Sequence, residues 1–564
     1  MLARPHRAVP ESVPLPSRGA AVFTGSVAWN IADLIEHAVD AVGERVALIV
    51  EDRSETYREL DERSNRLAHH LAANGVRAGD HIGIYAFNSC EFVETVFAAY
   101  KLRAVPVNVN YRYVEAELAY LFDDADLVAL VHDAQFGPRI EAVRSSLPQL
   151  QHLLAIDDGT GIAVANGTVG YDDAIAVASP TRDFGDRSDD DLYILYTGGT
   201  TGMPKGVVWR QEDVIRVLGG GIDFTTGEPV DDEFRFAANA AAVPDGGKAI
   251  VIAPLMHGAA QWGTLNGLFN GRTIVLMPKF DAHEVWRAVE RHRITTLSIT
   301  GDAMGRPLIE ALDEVDYDVS SLVAVSSTAA VFSATVKDRY LERFENLVVV
   351  DAVGSTETGY NGITTVAKGT SKQGLPTVRM GHDTVVLDDE LRIVAPGSGV
   401  VGRMARGGNV PLRYHKDPQK SAATFVKVGE KRYAVSGDSA MVEADGTMTL
   451  LGRGSVCINS GGEKIYPEEV EAALKAHPDV FDAVVVGVPD KRWGEQVAAV
   501  VETRTDHRPT LESLATHCRT LVAGYKVPRS VHFVDRMHRS PSGKADYPWA
   551  RTIATSDDGA HQVR

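Results

Sequence analysis

LYILYTGGTTGMPKG, residues 192–206, decides how the rest of the 564-residue chain is read. Leu192–Leu195 is an apolar run of strand character, and it leads into a loop with Gly198, Gly199 and Gly202 within five residues. Glycines so spaced let backbone N–H groups turn toward an anion. Thr197, Thr200 and Thr201 add hydroxyls, and Lys205 adds a compact charge suited to phosphate. This is not the Gly-Lys-Ser/Thr of a Walker loop, because Met203 and Pro204 intervene before Lys205. The spacing predicts a strand followed by a phosphate-binding loop.

On either side, strand and helix patterns alternate. Toward the N-terminus, Tyr57–Asn74 puts Leu60, Leu67, Ala68 and Leu71 on one helical face, and His81–Ala86 follows as a buried strand. Glu91–Arg103 is a predicted helix, and Ala104–Val109 and Leu127–Val131 are predicted strands. The rhythm returns at Gly271–Met277, Ala282–His292, Thr295–Ile299 and Leu347–Val350. Such alternation predicts parallel sheets with crossover helices, an α/β class. Beyond about residue 380 come short β-like runs: Thr384–Leu387, Leu391–Val394, Tyr433–Ser436 and Thr447–Leu450. After Arg453, flanked by Gly452 and Gly454, a compact α+β unit begins, with helices at Pro467–Lys475 and Leu511–Leu521 and strands at Ala483–Val488 and Gln496–Glu502. The expected division is a flexible arm (1–25), a large α/β portion with a β-rich part (26–453), a small α+β portion (454–550) and a flexible tail (551–564).

Composition bounds the partners. Hydrophobic residues make up 44% and charged residues 24%, the balance of an ordinary globular chain. Cys90, Cys457 and Cys518 are far apart, which argues against a disulfide framework or a zinc site and fits a reducing, cytoplasmic setting. A net charge of −19 disfavours nucleic acid. No apolar run reaches the length of a membrane span, and the first 20 residues lack the apolar core of a signal peptide. Transient membrane contact and homo-oligomerisation stay open.

The string Tyr196–Gly206 resembles the signature of the adenylate-forming (AMP-forming) superfamily, which holds acyl-CoA synthetases, adenylation domains of peptide synthetases and beetle luciferases. Further motifs extend the resemblance from about residue 30 to about residue 548, in the family's order. Ala253-Pro-Leu-Met-His-Gly258 is similar to its Pro-Leu-x-His segment, which implies that His257 lies beside the reacting carboxylate and the thiol tunnel. Gly354-Ser-Thr-Glu-Thr-Gly359 resembles Gly-x-Thr-Glu, implying a magnesium role for Glu357 and a contact from Thr356 to the α-phosphate or carboxylate. The block Gly402–Phe425, with Asn409 and Asp417, is followed by Asp438, whose implied role is the ribose, and by Arg453, implied to contact the nucleotide. Ser460–Glu471 resembles the stretch that meets coenzyme A, implicating Gly461, Gly462 and Lys464. Arg539-Ser-Pro-Ser-Gly-Lys544 resembles the segment with the catalytic lysine, here Lys544. Two positions depart: Val353 stands where the family commonly has an adenine-stacking tyrosine, and Val456 where it commonly has a polar hinge residue.

The resemblance implies an acid–thiol ligase: a carboxylic acid and ATP, with Mg²⁺, give an acyl-adenylate, and coenzyme A then takes the acyl group. The Val207–Arg210 continuation and the Gly-Glu-Lys-Ile-Tyr-Pro run resemble actinobacterial synthetases of fatty-acid and steroid side-chain breakdown, implying a bulky hydrophobic acid. A ligase that loads a carrier protein is the alternative. A non-enzymatic nucleotide-binding module would tolerate loss of Glu357 or Lys544, and both are present. The segment between Trp209 and Ala253 is long, leaving open a lid over the acyl entrance or a solvated insertion.

Overall fold

The computed structural model describes residues 29–199, 202–221, 230, 232–369, 375–460, 463–490, 493–504, 508–540, 543–556 and 561–562. Two sheets with parallel strands form the framework of the large portion. In the first, Lys248–Val251, Thr273–Leu276, Val46–Val50, Thr296–Ile299, Ala324–Ser327 and Val348–Ser355 pair in parallel. In the second, Val105–Asn108, His81–Tyr85, Leu127–Asp133, His152–Ile156 and Val169–Gly170 do the same. Strands covered on both faces read as continuous apolar runs, and His81–Tyr85 is buried throughout.

Helices fill the space between. Tyr57–Ala73 starts at Thr56, whose hydroxyl accepts from Glu59 N while Glu59 reaches back to the Thr56 N–H, a reciprocal capping box. Its face of Leu60, Leu67, Ala68 and Leu71 is fully buried. The helix predicted over Glu91–Arg103 runs from Cys90 to Lys101, ending just before Arg103, which turns back with φ +59°.

The first sheet continues as an antiparallel β-rich region through Gly359–Val366, Thr377–Met380, Thr447–Arg453, Lys431–Val442, Val401–Gly407 and Thr384–Leu387. The strand expected at Leu391–Val394 does not form. The Asp388 carboxylate accepts from Glu390 N at 3.0 Å and Arg392 N at 2.8 Å, and Leu391 adopts φ +60°, so the residues go into a turn. Ile393 keeps one isolated bridge to Leu387.

Residues 454–562 contribute a separate sheet, built from Ile458–Ser460, Glu463–Ile465, Val480–Asp490, Gly494–Thr503, Ser530–Val534 and His561–Gln562. In the stretch expected to be a tail, the helix Tyr547–Thr555 continues, and His561–Gln562 pairs with Ser530–Val534. This portion rests on the large-portion helix Gly301–Glu314. Arg504 donates to Glu310 at 3.0 Å, and the Arg306 guanidinium lies 5.4 Å from the Phe481 ring. In the long segment after Trp209, helices Gln211–Leu218 and Phe234–Ala242 form, and the second packs on Ile31–Val42. Its described part is thus joined to the core. No described helix is long and apolar enough to cross a membrane.

Candidate active site

The sequence LYILYTGG/GMPKG folds as a β-hairpin. Leu192–Gly199 and Gly202–Arg210 are antiparallel, with Tyr196 opposite Gly206, Thr197 opposite Lys205 and Gly199 opposite Gly202. Gly198, Gly199 and Gly202 frame the tip; Thr200 and Thr201 lie outside the described residues. Gly206 must be glycine because a Cβ there would lie 2.7 Å from the Tyr196 ring. The Tyr196 hydroxyl in turn donates to Asp124 Oδ2 at 2.8 Å. Lys205 Nζ pairs with Asp417 Oδ2. Asp417 also caps the helix Pro418–Thr424, accepting from Lys420 N at 2.9 Å. The Lys205 hydrogen bond, followed by that from Lys420, holds the Asp417 carboxyl below the usual range.

A second polar group adjoins this pair. Glu357 sits between the strands Val348–Ser355 and Gly359–Val366, and its Oε1 accepts from the Tyr414 hydroxyl at 2.8 Å. Burial raises the Tyr414 phenol, and the Glu357 charge raises it further, so the phenol stays a proton donor. Lys420 places its ammonium 4.3 Å from the Tyr414 ring centre. Burial lowers the Lys420 pKa, opposed by Glu357. The neighbouring Thr356 carbonyl accepts from Trp209 Nε1 at 3.0 Å, tying this loop to the hairpin's second strand. Lysines and carboxylates thus meet where the hairpin, the Glu357 turn and the Asp417 helix converge.

His257 stands at the N-cap of the helix Gly258–Phe269. Its Nε2 is buried with no hydrogen-bond partner among the described residues. Burial lowers its pKa to about 4, with Lys544 and then Arg112 adding charge repulsion, so the imidazole is neutral at ordinary pH. A cavity of about 20 Å³ beside it is lined by Asn108, Tyr113, Tyr196 and Met256 among others. An enclosed nitrogen without a partner costs free energy unless a ligand completes it.

Lys544 approaches from the small portion. Its N donates to Ser540 Oγ at 3.1 Å, and its carbonyl accepts from Ser540 N at 2.9 Å. Gly543 has φ +73°, and a Cβ on it would lie 2.8 Å from Ala303 Cβ and 3.1 Å from the Thr300 carbonyl. The turn therefore presses on the start of the helix Gly301–Glu314, and it carries the charge felt at His257.

Asp438 and Arg453 are backbone register partners in the strands Lys431–Val442 and Thr447–Arg453. Lys464 pairs with Asn459 in the hairpin that follows; Gly461 and Gly462 lie outside the described residues. Val353 packs with the cluster containing Val378, Met404 and Met448, and Val456 closes the short 3₁₀ turn Gly454–Val456.

Comparison with known proteins now bears on this arrangement. The family model described as AMP-binding enzyme matches residues 35–413, and its C-terminal-domain companion matches residues 469–544. The chain belongs to the AMP-binding enzyme family. It is 52% identical over 532 residues to a 3-oxocholest-4-en-26-oate–CoA ligase of Rhodococcus rhodochrous, covering 93% of this chain and 96% of the relative. It is 53% identical over 540 residues to a medium/long-chain-fatty-acid–CoA/3-oxocholest-4-en-26-oate–CoA ligase of Mycobacterium tuberculosis (strain ATCC 25618 / H37Rv), covering 95% and 98%. Among solved structures, an anthranilate CoA ligase in complex with anthranoyl-AMP aligns with a TM-score of 0.80 at 24% identity, covering 93% of this chain and 97% of that one. The ATP-bound MatB from Rhodopseudomonas palustris aligns at 0.76 and 23%, covering 93% and 99%. At these identities the two structures show a common fold.

In this AMP-binding enzyme, several residues that organise the site escaped sequence reasoning. Buried Asn108 donates to the Tyr196 carbonyl at 2.8 Å and the Met256 carbonyl at 2.7 Å, and accepts from Tyr196 N at 2.8 Å. It thereby clamps the hairpin to the His257 loop. Asn88 ties the residues just before His257 to the end of the strand Thr273–Leu276, donating to the Ala253 and Met277 carbonyls and accepting from Leu255 N. The available signal was a polar side chain in the otherwise apolar run Val105–Val109, since a buried amide needs partners.

Proposed function

We propose that this enzyme is an ATP-dependent, AMP-forming acyl-CoA ligase acting on a hydrophobic acid, of the fatty-acid or steroid side-chain class named for its relatives. What supports the chemistry is the meeting of two parts of the chain: the Gly543–Lys544 turn presses on Thr300 and Ala303 and adds to the charges that lower the His257 pKa, while Asn108 ties the His257 loop to the hairpin that carries Lys205. In this reading residues 26–453 bind ATP and the acid, and residues 454–550 supply Lys544 and the coenzyme A face.

The first half-reaction brings two anions together, so its barrier falls mainly through charge neutralisation and alignment. The acid's carboxylate oxygen attacks the α-phosphorus and pyrophosphate leaves. Thr197, Gly198, Gly199, Thr200, Thr201, Gly202 and Lys205 hold the phosphates. Lys544 neutralises charge between carboxylate and α-phosphate, and Thr356 contacts the same oxygens. Asp438 and Arg453 hold the ribose side, and the aliphatic Val353 region stands where an aromatic would stack on adenine. The Glu357 carboxylate suits Mg²⁺: Oε1 holds one hydrogen bond from Tyr414, and a carboxylate has further lone pairs to offer a hard cation. The ion supplies charge neutralisation on the phosphates. In the second half-reaction the thiol sulfur of coenzyme A forms the thioester bond and AMP leaves. Gly461, Gly462 and Lys464 serve the pantetheine approach, and neutral His257 accepts a hydrogen bond, or the thiol proton, at Nε2.

The test is a pyrophosphate-release assay over acids of graded size, with AMP release and thioester formation measured with and without coenzyme A. Expected is turnover with medium/long-chain or steroid side-chain acids that forms acyl-CoA. Adenylation without acyl transfer to coenzyme A would overturn the reading in favour of a carrier protein as acceptor.

A further inference from the structure

The small portion contains a buried ion pair that the reaction scheme above does not use. Arg539 Nε donates to Asp482 Oδ2 at 2.6 Å, and Nη2 donates to Oδ1 at 2.7 Å. The pair is largely enclosed, with side-chain exposures of 18% and 14%. Asp482 is itself fixed, since its Oδ1 also accepts from Ala483 N at 2.8 Å within the strand Val480–Asp490, whose neighbouring valines are core residues. A guanidinium gripped along one edge by a carboxylate has its remaining nitrogen aimed in a set direction. Here that nitrogen, Nη1, donates to the Gly543 carbonyl at 3.0 Å. Gly543 directly precedes Lys544. Arg539 also forms a backbone bridge with Ala545, so the guanidinium and the backbone hold Lys544 from both sides.

We infer that Asp482 and Arg539 are positioning residues for adenylation: the ion pair holds the Gly543 carbonyl so that Lys544 meets the carboxylate and α-phosphate when the turn docks on the helix Gly301–Glu314. The inference rests on the proposed role of Lys544. An exposed lysine has several rotatable bonds, and a preorganised charge stabilises a transition state only if its backbone anchor is set beforehand. The anchor here is on one side the ion pair and on the other the contact of Gly543 with Ala303 and Thr300. The Asp482–Arg539 pair faces Glu471 and Lys475 from the helix Pro467–Lys475, which belong to the small portion with it, and in the docked arrangement it also feels Asp302 of the helix Gly301–Glu314, whose carboxylate lies 3.9 Å from Lys475 Nζ.

The experiment separates the two half-reactions. Arg539→Lys keeps the cation and loses the fork; Asp482→Asn keeps the shape and loses the charge. Each is expected to lower kcat for acid-dependent pyrophosphate release about ten-fold, within the range seen when a supporting residue is removed. KM for ATP and acid, and the rate of thioester formation from supplied acyl-AMP, should stay within about two-fold. A purely structural pair would lower both half-reactions together, and that result overturns the inference, as does unchanged adenylation in Arg539→Lys. Where Asp482→Asn fails to fold, Ser540→Ala reads the same turn from its exposed side by removing the acceptor of Lys544 N, with a several-fold loss confined to adenylation. Lys544→Ala is measured in parallel. Intact adenylation in that variant refutes the role of Lys544 itself, whereas crippled adenylation there beside a normal Arg539→Lys refutes only the positioning role.

Discussion

The two sides of the site are held by different means. On the large-portion side the His257 loop is held by two buried amides, each bonding three backbone groups: Asn108 joins it to the hairpin, and Asn88 joins it to Met277 beside the strand Thr273–Leu276. On the small-portion side, Lys544 is exposed, on a turn held by Ser540 and Arg539 and pressed against its neighbour through a glycine. One side is a fixed cradle whose bonds would cost much to break; the other is an arm whose docking contacts among the described residues include the ion pairs Arg504–Glu310 and Lys475–Asp302, the Gly543 contact and the Arg306–Phe481 ring contact. Half-exposed pairs such as Arg504–Glu310 are individually weak, which suits an element that docks and leaves. On the proposed reading the arm delivers charge and the cradle sets geometry.

The largest effect that tests this division is expected from Lys544→Ala. Adenylation should fall roughly 10²–10³-fold, the scale for losing one preorganised charge-stabilising group. Thioester formation from supplied acyl-AMP should survive. Equal losses in both half-reactions would show that the arm is not specific to one step. Glu357→Gln comes next, with a loss of roughly 10–100-fold and a raised magnesium requirement in pyrophosphate exchange, as for weakened metal-site support. Unchanged magnesium dependence would remove Glu357 from the metal role, and a normal melting temperature would show that the cradle is intact.

How legible these two sides were in the sequence differs for a physical reason. The alternation of apolar strands and helices around Leu192–Leu195 made the α/β framework readable, because burial on both faces of a parallel strand leaves a continuous apolar run. Motif strings located the hairpin, Glu357, His257 and Lys544 because their local backbone needs particular residues, such as Gly206 under the Tyr196 ring. The clamps were not legible. Asn108 and Tyr196 are 88 residues apart, and Arg539 and Asp482 are 57 apart. Local periodicity carries no record of such pairings. Leu391–Val394 looked like a strand by its apolar residues, and was lost to Asp388, whose carboxylate draws the backbone into a turn.

Gly543→Ala sharpens the comparison at the point of docking. Alanine at φ +73° costs about 1–2 kcal/mol, and its Cβ would meet Ala303 at 2.8 Å only while the arm is docked. The backbone cost falls on docked and undocked states alike, whereas the clash falls on the docked state alone; overpacking costs about 1–3 kcal/mol and every 1.4 kcal/mol is tenfold, so adenylation should fall about ten-fold, with thioester formation nearly unchanged. A matching loss in both steps would place the strain within the small portion and remove the docking contact as its cause.

The smallest effect is a titration. His257 is held down to about 4 first by burial and then by the Lys544 and Arg112 charges. A neighbouring cation disfavours imidazolium, so removing Lys544 must raise the His257 pKa. The rise is partial, because burial and Arg112 remain, and the value should stay below the ordinary 6.5. Following the His257 ring resonance by NMR against pH in the ligand-free wild type and in Lys544→Ala reads this directly. An upward shift would show the arm docked beside the cradle before any substrate arrives. Identical titration curves would mean that the arm spends its time elsewhere in solution, and that substrate must bring Lys544 to the site.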